Sequence, residues 1–153
     1  MNEDEHVGLF PPILSIVCFL FASVAMTASI GLTGGMLLRF YFSLSSEVEL
    51  LLLSISACLF VVVNYQVVLG SFYAVKVLKR VLLISLLLLI PVILSKDFDL
   101  LVLFSCAIFI FVSIYLLSHK HYLTFVNHRK VSVEDQKEAL SEIAAELEAK
   151  KNK

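Results

Sequence analysis

Few residues in this chain have side chains able to bind or transform anything, and their spacing limits what they can do. His119, His121 and His128 share one basic, aromatic segment, HKHYLTFVNHRK at 119–130. Imidazoles so grouped could hold a metal ion. An HxH pair on one helix points its rings apart, however, and no cysteine or carboxylate lies nearby. The segment therefore reads as an interfacial collar touching lipid head groups. Cys18, Cys58 and Cys106 sit singly inside apolar runs with no CxxC pair, and read as small buried thiols. Asn64 and Gln66 interrupt another apolar run and point to opposite faces of a helix. An amide in hydrocarbon needs a partner, so Asn64 is expected to face a neighbouring helix through a hydrogen bond worth about 0.6 kcal/mol.

The familiar catalytic motifs are missing. The chain has no Gly-rich phosphate loop, nucleophile elbow, HExxH or paired CxxC. No Asp, Glu, Lys or Arg falls inside the four apolar spans delimited below, apart from Arg80 at the very start of the third. Proton relays, voltage sensors and coupled pumps need such residues at depth. No inverted internal repeat of the transporter kind is found either. The expectation is a protein that is not an enzyme, with no cofactor, no metal and no direct nucleic-acid binding.

The elements that must position these residues are membrane helices. Of 153 residues, 59% are hydrophobic and 16% charged, and the mean hydropathy is +0.94. Soluble domains carry about 25% charged residues to coat their surface, so the solvent for most of this chain is lipid. The first run, Val7 to Leu38, has no charged side chain. Its acidic start and its length do not fit a cleaved signal peptide, and it reads as an uncleaved anchor. Four spans are expected, at about 13–37, 50–75, 80–95 and 100–118. The first reaches about 37 Å, enough to cross a bilayer with tilt. The third is short at roughly 22 Å, unless Lys79 and Arg80 snorkel or its helix starts earlier, within 72–77. Lys96-Asp97-Phe98-Asp99 reads as a tight turn making spans three and four an antiparallel hairpin.

Span one carries small residues on two opposite faces. Ser15, Cys18, Ala22, Ala25 and Ser29 form one seam, and Ser23, Thr27, Gly31 and Gly35 the other. Small residues let helix backbones approach closely in lipid, so both faces are expected to pack. With Asn64 and Gln66 they form the expected helix-packing or oligomer interface. Spans one and two are expected to make an inner layer. Span three, nearly pure Leu, Ile and Val, is expected to be the most lipid-exposed, with Pro91 placed to kink its far end.

Residues 131–153 read as a separate amphipathic helix opened by a Ser132-x-x-Asp135 capping box. Val133, Leu140, Ile143 and Leu147 share a face with coiled-coil period. Glu134, Glu138, Glu142 and Glu146 form an acidic ridge that an anionic leaflet would repel. A protein partner is therefore expected on this tail, with Val133, Leu140, Ile143, Leu147, Glu138 and Glu142 as contacts.

Lys76, Lys79, Arg80, Lys120, Arg129 and Lys130 form a basic collar on one side of the spans, and Arg39 and Lys96 stand on the other. Positive charge stays in the cytoplasm, which places both termini there. The expected fold is thus all-α: residues 1–130 as a four-helix transmembrane domain, expected in a bacterial inner membrane, and 131–153 as a cytoplasmic amphipathic tail. The leading functional expectation is an oligomeric subunit or adaptor presenting the tail to a partner. Two alternatives are a homo-oligomeric pore or permeabilising protein, with Asn64, Ser54 and Ser71 lining a lumen, and an immunity-type membrane inhibitor.

Overall fold

The computed structural model describes residues 10–42, 44–95 and 98–151. The acidic start, the Lys96-Asp97 half of the expected turn and the last two residues lie outside them, as does the side chain of Glu146. Five helices follow in order: α1 Ile13–Phe42, α2 Ser46–Val68, α3 Phe72–Ser95, α4 Leu100–Ser118 and α5 Lys120–Lys151. The first four are long and apolar enough to cross a membrane. No strand occurs among the described residues.

α1 is the centre of the bundle and touches each of the other four helices. Its seam of small residues is buried at Ser15, Ala22, Ala25 and Ser29, at the three-and-four spacing of one helical face. Phe19, Ala22 and Met26 join Val67 of α2, Leu78 and Leu82 of α3, Ile110 and Leu117 of α4, and Tyr122, Phe125 and Val126 of α5. A second cluster at the other end holds Met36, Leu89, Val92, Leu103 and Cys106. Ser29 and Ser113 meet at 3.1 Å between α1 and α4, where small side chains permit a close crossing.

Several sequence expectations change. α1's main neighbour is α4, so spans one and two do not form the inner layer. The most exposed of the four spans is α2, with 11% of its window buried against 22% for α3. Leucine suits a lipid-facing surface and a helix interface equally, and Leu78, Leu82 and Leu89 of α3 are buried.

The α2–α3 boundary also moves. α2 stops at Val68, and α3 begins at Phe72, the earlier of the two starts, taking Lys76, Lys79 and Arg80 into its first turns. The cause is Gly70, whose φ of 85° is left-handed. The Gly70 amide donates to the Val67 carbonyl and the Ser71 amide to the Gln66 carbonyl, 2.9 and 3.0 Å. This pair of bonds is a Schellman closure. Ser71 Oγ then accepts from the Ala74 amide at 3.3 Å and caps α3. At the far end α1 runs on to Phe42 and α2 starts at Ser46, so Arg39, Glu47 and Glu49 are helical.

The tail is not a separate helix. α5 is continuous from Lys120 to Lys151, and Ser132 lies in its interior, where it opens nothing. No Gly or Pro occurs in that stretch to break it.

Candidate functional site

The feature that sets this chain apart from a plain four-helix bundle is the placement of α5, and three contacts define it. Asn64 Nδ2 donates to Ser23 Oγ at 3.3 Å, the interhelical bond expected for that amide. This bond fixes the height of α2 against α1. Counting four residues on from Asn64 gives Val68, and four back from Ser23 gives Phe19, so these two residues stand level on antiparallel neighbours. α5 reaches both. Phe19 stacks on Phe125 with centroids 4.4 Å apart and on Tyr122 at 6.0 Å. Further along, Arg129 Nε donates to the Val68 carbonyl at 3.0 Å. α5 therefore runs across the bundle at one height instead of continuing along it.

The break that turns the chain lies at His119, whose backbone is extended between α4 and α5 (φ −71°, ψ 142°). His119 is thus not on a helix with His121. Their rings come within 5.1 Å instead of pointing apart, and the His121 amide lies 3.4 Å from His119 Nδ1. Among the described residues no three His, Cys, Asp or Glu side chains cluster as metal ligands.

Arg129 has a role that the collar reading missed. The last carbonyls of α2 lack helical partners, and the guanidinium supplies one while placing positive charge at the negative end of that helix. Lys130 follows against the turn, where a Cβ on Gly70 would overlap its backbone. Its ammonium lies 3.8 Å from Glu134. Lys76, Arg80 and Lys120 are exposed and Lys79 is half-buried. All six collar residues gather near the end of the bundle that α5 crosses.

Tyr122 is fully buried at this crossing, and its hydroxyl has no hydrogen-bond partner. Burial pushes its pKa well above the usual phenol range, and nearby Cys18 adds to the shift. A buried O–H without a partner is a net cost. Tyr122→Phe is therefore expected to stabilise the protein by about 1 kcal/mol, read as a higher Tm in mild detergent. A lower Tm would mean that the hydroxyl holds a partner.

The second small-residue face of α1 packs only at its ends. Ser23 meets Asn64, and a Cβ added to Gly35 would stand 3.6 and 3.8 Å from the Glu49 and Leu53 side chains. Between them Thr27 and Gly31 are exposed, and a Cβ added to Gly31 would meet open space. The two helices diverge there and leave a groove of about 290 Å³ lined by Thr27, Gly31, Ser54 and Ala57. On the other side of α2 a cavity of about 320 Å³ is lined by Ser29, Thr33, Ser56, Phe60, Val81 and Ser85. Arg39 Nε clamps both oxygens of Glu49 at 2.8 and 3.0 Å, closing the α1–α2 corner.

Other expected residues separate. Gln66 is exposed on the face opposite Asn64. Asn64, Ser54 and Ser71 do not converge on one lumen within a single chain: Asn64 bonds Ser23, Ser71 caps α3, and Ser54 donates to the Leu50 carbonyl. Of the three thiols, Cys106 is buried, Cys18 half-buried and Cys58 exposed, so the expectation of three buried thiols fails at Cys58. In the outer half of α5, Val133 is half-buried, whereas Glu138, Leu140, Glu142, Ile143 and Leu147 are all exposed.

No protein-family model matches the chain, and no curated protein or solved structure matches it. The four apolar helices suggest an integral membrane protein; the crossing helix must carry any finer reading.

Proposed function

We propose that this chain is a non-enzymatic integral membrane subunit or adaptor, acting as an oligomer in a bacterial inner membrane with both termini in the cytoplasm. Its α5 is the element presented to a cytoplasmic protein partner. One observation carries the reading: α5 stays helical to Lys151, although every residue whose side chain is described from Glu134 onward is exposed. An isolated helix of that length is marginal in water, and a rigid extension anchored at its base is suited to docking. The partner-facing part is the acidic ridge, with Glu138 and Glu142 turned from the bundle side, and it fits a basic protein surface.

The orientation follows from charge. Lys76, Lys79, Arg80, Lys120, Arg129 and Lys130 gather at the α5 end, and Arg39 lies at the other. The positive-inside rule then assigns α5 to the cytoplasm. Oligomerisation draws on the groove between α1 and α2, where the small, exposed Thr27, Gly31, Ser54 and Ala57 leave room for a helix of another copy.

The test is partner capture by crosslinking in intact cells. Glu138→Lys with Glu142→Lys should lose the captured partner by about tenfold or more, the cost of reversing charges at a complementary contact, while membrane insertion and oligomer size stay unchanged. Undiminished capture by the double variant and by a chain ending at Val131 would sink the proposal.

A further inference from the structure

We infer that the outer half of α5 lies in the plane of the membrane, with Leu140, Ile143 and Leu147 set into the lipid interface. This rests on the membrane reading above and adds what covers the exposed apolar stripe. Three observations point to it.

The first is direction. α5 meets Phe19 and Val68 at one height on the bundle, so its axis runs across the helices that span the bilayer. With no Gly or Pro between Lys120 and Lys151, nothing bends it back. The exposed stretch 134–151 continues past the edge of the bundle for about 27 Å, at 1.5 Å for each of its 18 residues.

The second is the face. Arg129 points towards α2, because its guanidinium reaches the carbonyl end of that helix. Steps of four and three residues along the same face lead from Arg129 to Val133, Gln136, Leu140, Ile143 and Leu147. The stripe therefore continues the surface that α5 turns to its own bundle. Beyond the edge, the same direction meets lipid. Leu140, Ile143 and Leu147 are 67%, 55% and 62% exposed, so no described residue covers them fully.

The third is depth. From the height of Phe19 to that of Arg39 is 39 − 19 = 20 residues of α1, or about 30 Å, the thickness of a hydrocarbon core. The Arg39–Glu49 pair marks one boundary, and α5 lies at the other. An amphipathic helix in that plane buries its apolar face about 5–10 Å into the boundary.

Charge selects the orientation. Residues 132–151 carry six acids (Glu134, Asp135, Glu138, Glu142, Glu146, Glu148) and three bases (Lys137, Lys150, Lys151). Glu134, Glu138 and Glu142 fall opposite the stripe, on the side facing water. The helix is thus held down by its apolar face and its anchored base, without attraction to anionic lipid. The ridge stays free for the partner proposed above.

The chain has no tryptophan, so single reporters can be placed in the full-length protein in nanodiscs of phosphatidylcholine brominated high on the acyl chain. Leu147→Trp lies outside the bundle and does not put folding at risk. Its emission should be blue-shifted and quenched at least about twofold more by the brominated lipid than that of Ala145→Trp on the opposite face. Leu87→Trp, on the exposed face of α3, reports insertion, read with lipid brominated near the bilayer centre. Quenching at residue 87 without quenching at 147 overturns the inference alone. A red-shifted 147 then means a solvated tail, and a blue-shifted, unquenched one means cover by a second copy or another protein. No quenching at residue 87 overturns the membrane reading as well.

Discussion

Gly70→Ala is expected to release α5 from the bundle and to destabilise the protein by at least about 2–3 kcal/mol. Two costs combine. The backbone at residue 70 has φ of 85°, a conformation costing a Cβ-bearing residue roughly 1–2 kcal/mol. The added Cβ would also overlap the Lys130 backbone, and helical backbone cannot move aside like the end of a flexible side chain. Either the Schellman turn opens or α5 lifts, and lifting also breaks the Arg129–Val68 bond. Hydrogen exchange should speed up over residues 120–133 while α1 and α4 keep their protection. Unchanged exchange in α5 would mean that the α2–α3 turn and α5 do not touch.

The second large effect is expected at Phe125. Its ring is 7% exposed and stacks on Phe19 at 4.4 Å, inside the cluster that includes Tyr122, Val126 and Leu117. Phe125→Ala removes that ring from the apolar layer between α5 and the bundle, at a cost of about 3–5 kcal/mol. Phe19→Ala removes the other half of the stack, so the double variant should lose less than the sum of the two. Thermal unfolding in mild detergent gives both numbers. Full additivity would show that the rings do not meet.

Both effects lie where the sequence was hardest to read. The four apolar helices were plain in it, because each is a long run in which backbone polar groups have no solvent but their own helix. The Asn64 partner was legible for the same reason, as was the Ser15–Ser29 seam. The layer order was not. Leucine is favoured both by lipid and by helix interfaces, so a Leu-rich α3 and a more polar α2 gave the wrong ranking of exposure. Gly70 was visible, but a single glycine between two apolar stretches does not reveal its φ, and the charge-free run from Leu50 to Val75 hid the turn. Arg129 looked like one more collar charge, since its partner is a carbonyl 61 positions away. The continuity of α5 did have a signal in the lack of Gly and Pro from Lys120 to Lys151. It was masked by a capping-box pattern at Ser132 and by the change from apolar to charged composition.

Everything proposed for α5 depends on its crossing the bundle at the height of Phe19 and Val68. Thiol crosslinking in the membrane-embedded chain, with Cys18, Cys58 and Cys106 replaced, tests this directly. Phe19→Cys paired with Phe125→Cys, and Val68→Cys paired with Arg129→Cys, should each be bridged within one chain by a short bis-maleimide, which spans the reach of the stacked rings and of the Arg129 side chain. Crosslinking at the first pair alone, or at neither, would contradict a transverse α5.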